Sequence, residues 1–226
     1  MHTAIRDWPA RERPREKLLE LGPGALSDAE LLAIIIGSGY RGRSAVDVGR
    51  DLIKSFGSLR EFLTATPKQC LRQRSIGPAC LAKLRAALEL ARRHHLDALR
   101  TGPGLNGTQS TNVFLQAQLR DKPYEVFCCL YLDVRYRLIA FEELFRGTID
   151  SATVHVREVV RQALAHNAAS VIFAHNHPSG VAEPSSADEH VTRQLKESLA
   201  LVNVKVLDHI IVGDCRCTSF TERGLL

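Results

Sequence analysis

Residues 101–111, TGPGLNGTQST, split the chain into two stretches whose apolar residues repeat with different periods. So much glycine and small polar side chain reads as a linker, which leaves domains at 1–100 and 112–226. Ahead of the linker the spacing is helical throughout. Ser27 with Glu30 three residues on is a helix start signal before LLAIII, since each side chain can accept from the other residue's backbone N–H. Further helices are expected at 44–55, 58–64, 67–73 and 78–95, the third opened by Thr66 as cap and Pro67 at its first position. Behind the linker, residues 112–119 suit a short helix. The segments 125–134 (EVFCCLYLDV) and 137–145 (RLIAFEELF) are apolar, β-prone and separated by a short turn, hence a hairpin. A helix at 156–165, a buried strand at 170–174, a helix at 186–202 and a strand at 204–212 complete an α/β layer structure.

The 226 residues are 45% apolar and 24% charged, as expected of a folded chain. Apolar runs such as residues 31–36 fall far short of the ~20 residues needed to cross a membrane. The opening MHTAIRDWPARERPREK carries charges of both signs and no apolar core, so a cytoplasmic protein without a secretory signal is expected. None of the six cysteines forms a C-x-x-C pair, and reduced, buried thiols are expected rather than disulfides. Charge is uneven: residues 1–100 hold 18 Lys and Arg against 11 Asp and Glu, whereas 101–226 hold 12 against 14. The basic surplus belongs to the first half.

The chemistry concentrates in Ala174-His175-Asn176-His177-Pro178-Ser179-Gly180 and Ser185-Ser186-Ala187-Asp188. Residues two apart in an extended chain face the same side, so His175 and His177 can aim both imidazoles at one point. Pro178 and Gly180 turn the chain, and Asp188 returns at the start of the next helix. Two imidazoles and one carboxylate leave a fourth tetrahedral position for water, the layout of a catalytic zinc site. Ser185 and Asp188 equally satisfy the pattern of a helix cap. The two roles are compatible.

The spacing H-x-H, seven residues, Ser, two residues, Asp matches the JAMM (MPN+) metalloprotease signature, and HNHPSG resembles the bacterial RadC family. RPREKLLELGPGALSDAELLAIIIGSG, the run Phe145-Arg-Gly-Thr-Ile149, Arg157-Glu158 and Leu207-Asp-His209 extend that resemblance over nearly the whole chain. It implies a C-terminal α/β JAB/MPN domain, layered like the cytidine deaminases, behind an all-α domain with a helix-hairpin-helix-like element. His175, His177 and Asp188 would hold one Zn²⁺ per chain, and Ser185 would help hold the reacting oxygen. An upstream glutamate completes the signature. Glu125, Glu142 and Glu143 are the candidates, and Glu125 fits best because it heads the apolar run of the first strand. The implied reaction is hydrolysis of a peptide or isopeptide bond in an unidentified polypeptide. JAMM deubiquitinases resemble H-S-H-P or H-T-H-P here, so Asn176 argues against ubiquitin-like substrates. His209 has two readings, a support for the metal site or a plain core histidine.

In the first half, Ser75-Ile-Gly-Pro-Ala-Cys80 before LAKLRAALELARR resembles a helix-hairpin-helix turn, which presents backbone N–H groups to a DNA phosphate. The usual second hairpin glycine is absent. Arg72, Arg74, Lys83 and Arg85 supply charge nearby, and a solvated basic face explains them equally well. Two function classes follow. One is a zinc metallohydrolase with a helical targeting module. The other is a DNA-binding accessory protein, linked to repair or recombination, whose metal site is inert.

Overall fold

The computed structural model describes residues 4–101, 108–147 and 154–226, which fall into two compact units, Met1–Leu90 and Ala91–Leu226. Residues 102–107 of the expected linker, and Thr148 and Ile149 of the FRGTI run, lie outside the described residues.

The first unit is helical: α1 (Pro14–Leu21), α2 (Asp28–Ile36), α3 (Ala45–Phe56), α4 (Leu59–Thr64), α5 (Pro67–Leu71) and the start of α6 (Pro78–Thr101). Short polar side chains open α2 to α5: Ser27, Ser44, Ser58 and Thr66 each accept from a backbone N–H of the first turn. These caps replace hydrogen bonds that a helix start cannot make internally. Leu32, Val48, Leu52, Phe62, Ile76, Leu81 and Leu84 form the core. Gly49 brings α3 against α2, because a Cβ there would lie 2.7 Å from the Ala29 carbonyl oxygen. α6 runs on to Thr101 rather than ending near residue 95, since nothing in HHLDALRT breaks a helix.

The second unit is built on a mixed sheet. Its strands are β1 (Val126–Leu132), β2 (Leu138–Arg146), β3 (Ser170–Asn176), β4 (Lys205–Val212) and β5 (Cys217–Ser219). Their order is β2-β1-β3-β4-β5, with β3 and β4 parallel and the other neighbours antiparallel. Side chains alternate between two layers. Val126, Cys128, Leu130 and Ala174 pack with Phe114, Leu115 and Leu119 of α7 (Thr108–Leu119). Phe127, Cys129, Tyr131 and Phe173 pack with α8 (Val156–Ala165) and α9 (Ser186–Ala200). Because α7 opens at Thr108, the end of the glycine-rich segment is helical. Two strand features were not expected: β3 continues through His175 and Asn176, and β5 is too short for a periodicity to show. All six cysteines are free, and burial pushes the Cys128 and Cys129 thiols far above their ordinary range. Among the described residues no helix is long and apolar enough to cross a membrane.

Candidate metal centre

β3 and α9 belong to one β-α-β crossover, and the site forms where the chain leaves β3 and enters α9. Ligands in open α/β sheets tend to bind at the carboxyl ends of strands. His175 ends the buried part of β3 on the α8/α9 face, and only 1% of it is exposed. His177 follows on the same side, its backbone N–H donating to the Val212 carbonyl (3.1 Å). The loop then returns along the turn after β4, where the Asp214 N–H donates to the Gly180 carbonyl (2.9 Å). That passage is close enough that a Cβ on Gly213 would meet the Gly180 oxygen at 2.5 Å.

α9 opens with the expected cap. Ser185 accepts from the Asp188 N–H (3.2 Å), and Asp188 Oδ2 accepts from the Ser185 N–H (2.8 Å) and hydroxyl (2.6 Å). The other carboxylate oxygen is turned to the histidines. Asp188 Oδ1 lies 3.2 Å from His175 Nε2, Oδ2 lies 3.7 Å from His177 Nε2, and the two Nε2 atoms are 3.0 Å apart. Asp188 is therefore cap and site residue at once. Burial opposes its ionisation, but the hydrogen bond and charge of His175, with the Ser185 bonds, outweigh it and hold the carboxyl well below its usual range.

These three side chains fit a cation. Ligand atoms about 2.0–2.1 Å from a tetrahedral zinc stand about 3.3 Å from one another, close to the separations seen. The His177 Nδ1–H donates to the Val181 carbonyl (2.8 Å), since a carbonyl can only accept. In a neutral ring that leaves the Nε2 lone pair facing His175 and Asp188. Converging lone pairs beside a carboxylate repel unless positive charge lies between them.

Glu125 stands just before β1. Phe127 pairs with His175 across the β1–β3 ladder, and that register carried past the strand ends sets Glu125 opposite His177. Half-burial raises its carboxyl above the ordinary carboxylate value. His175 opposes this, Asp188 reinforces it, and His177 opposes it again, so its charge is coupled to all three. The rival glutamates are engaged elsewhere: Glu142 with His166 (2.9 Å) and Glu143 with Lys122 (2.6 Å).

Asn176 helps set the Glu125 segment in place, beside the Gly147 N–H that donates to the Glu125 carbonyl (2.9 Å). Strand alternation turns Asn176 to the face opposite the histidines, where its Oδ1 accepts from the Val126 N–H (2.9 Å). Its Nδ2 donates to the carbonyls of Tyr124 (3.1 Å) and Lys122 (3.4 Å). Its position between two site residues was a legible signal, but its target 50 residues upstream was not. Behind His175 stand His209 and Thr192: His175 Nδ1 is 2.8 Å from His209 Nε2, and His209 Nδ1 is 2.6 Å from Thr192 Oγ1. Thr192, four residues after Asp188, went unmarked in the sequence, although that spacing places both on one helix face.

In the helical unit, Arg72, Arg74 and Lys83 are exposed around the turn between α5 and α6. Arg85 is not available there. Its guanidinium donates to the carbonyls of Leu63 (3.3 Å) and Ala65 at the end of α4.

Comparison with known proteins covers both units. Residues 105–225 match the RadC-like JAB domain, and residues 5–82 match the UPF0758 N-terminal family. A UPF0758 protein of Nitrosococcus oceani is 61% identical over 223 residues, covering 99% of this chain and 100% of the relative. One from Thioalkalivibrio sulfidiphilus is 59% identical over 98% of this chain and 99% of its own. Another, from Halorhodospira halophila, is 54% identical over 99% and 100%. Their names state no activity.

Proposed function

The chain belongs to the RadC family, and from its metal centre we propose that it is a zinc-dependent hydrolase of the JAMM type, cleaving a peptide or isopeptide bond. The observation that carries this is the convergence of His175, His177 and Asp188 beside the electrostatically coupled carboxyl of Glu125. Three protein ligands of this kind suit a catalytic rather than a closed structural site. Zinc, when held there, supplies the positive charge that acidifies a water and polarises a carbonyl.

The chain's own groups do the rest. Glu125 takes the proton of the attacking water and passes it to the departing amine, a task for which its raised pKa suits it; such acid–base help is worth roughly 10²–10⁴-fold. Ser185 keeps its hydroxyl on Asp188, so stabilising the oxyanion requires that hydroxyl to turn toward the substrate. Asn176 is spent on backbone behind the sheet, so its difference from the deubiquitinase pattern acts through the placement of Glu125.

The helical unit is the targeting module in this proposal. Arg72, Arg74 and Lys83 would contact the phosphates of DNA through the helix-hairpin-helix-like turn. Binding to duplex or branched DNA should then weaken steeply with salt, and binding indifferent to salt would remove that role. For the hydrolase, a peptide library offered to the zinc-loaded chain should yield a cleavage that Glu125→Gln slows by about 10²–10⁴-fold. If that variant cleaves at the native rate, or no cleavage appears in the native chain, the assignment fails.

A further inference from the structure

His175 has no acceptor of obvious strength behind it. Metal-bound imidazoles commonly donate their second N–H to a carboxylate, a backbone carbonyl or a water. His175 meets another imidazole instead, and His209 is fully buried among the rings of Phe127, Phe173 and Phe220. The adjacent Asp208 faces the other way, accepting from the Ser219 hydroxyl (2.6 Å) and the Thr221 N–H (3.0 Å).

One atom fixes the direction of the first two protons in this chain of contacts. Thr192 Oγ1 lies 2.5 Å from the backbone carbonyl of Asp188. A carbonyl only accepts, so the Thr192 hydroxyl donates to it. The Thr192 oxygen, its proton committed, accepts from His209, whose proton must then be on Nδ1. His209 is fully buried among aromatic rings, and its two ring nitrogens meet a hydroxyl and an imidazole rather than a carboxylate, so a second proton would be an unpaired buried charge and its Nε2 carries a lone pair. That lone pair accepts from the His175 Nδ1–H, which leaves His175 Nε2, 3.2 Å from Asp188 Oδ1, as the nitrogen that holds the cation at this site, a proton in the metal-free chain or a metal when one is bound. The circuit begins on the Asp188 carbonyl and ends at its carboxylate.

We propose that Thr192 and His209 are positioning residues which hold the His175 proton on Nδ1 and so aim the Nε2 lone pair at the metal position. Resting on the assignment of His175 as a metal ligand, the relay has a chemical consequence. A neutral imidazole pulls less on the Nδ1 proton than a carboxylate would, so His175 stays a weaker electron donor. The bound cation keeps more of its positive charge for water and substrate.

The relay can be read without any metal. Long-range ¹⁵N–¹H correlation NMR on the histidine-labelled, metal-free full chain should show His209 protonated on Nδ1 only, with His175 protonated on Nδ1. A His209 proton on Nε2 overturns the proposal, since His175 would then have to accept. In a second arm, zinc affinity is measured for Thr192→Val, Thr192→Ser and His209→Phe, with Co²⁺ absorption reporting the ligand field. The Val and Phe variants should bind zinc roughly 10–100-fold more weakly with shifted Co²⁺ bands, whereas the Ser variant should stay near native. Folded Val and Phe variants that bind zinc within about twofold of native, with unchanged bands, would also sink the relay. Should the native chain bind no zinc while His209 shows the expected tautomer, the hydrolase reading falls and the relay stands.

Discussion

Two helices in this chain begin with the same device and end in different chemistry. At α3, Ser44 and Asp47 form a capping box with the hydroxyl 2.7 Å from Asp47 Oδ2 and the Asp47 N–H 3.1 Å from the serine oxygen. At α9, Ser185 and Asp188 repeat it at 2.6 Å and 3.2 Å. The second carboxylate oxygen makes the difference. Asp47 Oδ1 meets the exposed Arg50 at 3.4 Å, whereas Asp188 Oδ1 meets the buried His175 at 3.2 Å. A local motif thus fixes where a helix starts, and what the rest of the fold sets beside it decides whether the carboxylate can also bind a metal. The contrast extends to the cores. Among the described residues, all nine buried polar side chains lie at Thr111 or later, and His175, Asn176, Thr192 and His209 serve this one site. Burying polar groups costs free energy unless they are partnered, so a network of them marks a place shaped for more than stability.

The sharpest break of the comparison is Asp→Asn at each cap. Asp188→Asn should abolish zinc binding in a titration of the full chain, while Asp47→Asn leaves it unchanged; equal effects would erase the distinction. Next is Glu125→Gln, which should bind zinc normally yet lose about 10²–10⁴-fold in hydrolysis. It also carries a stability signature. The folded-state pKa of Glu125 is raised, so folding binds a proton more tightly and ionised Glu125 penalises the metal-free fold at neutral pH. The Gln variant should therefore be the more stable in urea at pH 7. That advantage should shrink as pH falls through the raised folded pKa and vanish below the unfolded value of about 4.3.

A smaller effect is expected from Asn176→Ala. It strands the Val126 N–H and should cost about 1–3 kcal/mol in denaturant unfolding, with kcat reduced and zinc retained. Smallest is Ser→Ala at the two caps, about 1 kcal/mol each by thermal melts. Only Ser185→Ala should also weaken zinc binding.

Much of this was legible because it is local. The capping boxes, the proline-led α5 and the H-x-H alternation follow from neighbours a few residues apart, and the helices and strands came close to their places. Asp188 was legible as a cap or as a ligand, and it is placed for both. What escaped reading depends on long-range pairing. Asn176 reaches back 50 residues to Val126, and His209 joins Thr192 across 17 residues, distances over which no periodicity operates. β5 is three residues long and, among the described residues, pairs with β4 alone, too little for alternation to declare itself. Arg85 looked like surface charge because its acceptors are carbonyls, which one sequence position cannot distinguish from any others.

The central claim is that His175, His177 and Asp188 form one cation site. X-ray absorption at the zinc edge of the loaded full chain reads the ligands directly. The expected spectrum has two imidazoles and oxygen donors about 2.0–2.1 Å from the ion, with one zinc per chain. A spectrum of sulfur ligands, or of oxygens alone without imidazole scattering, would place the metal elsewhere and contradict the account.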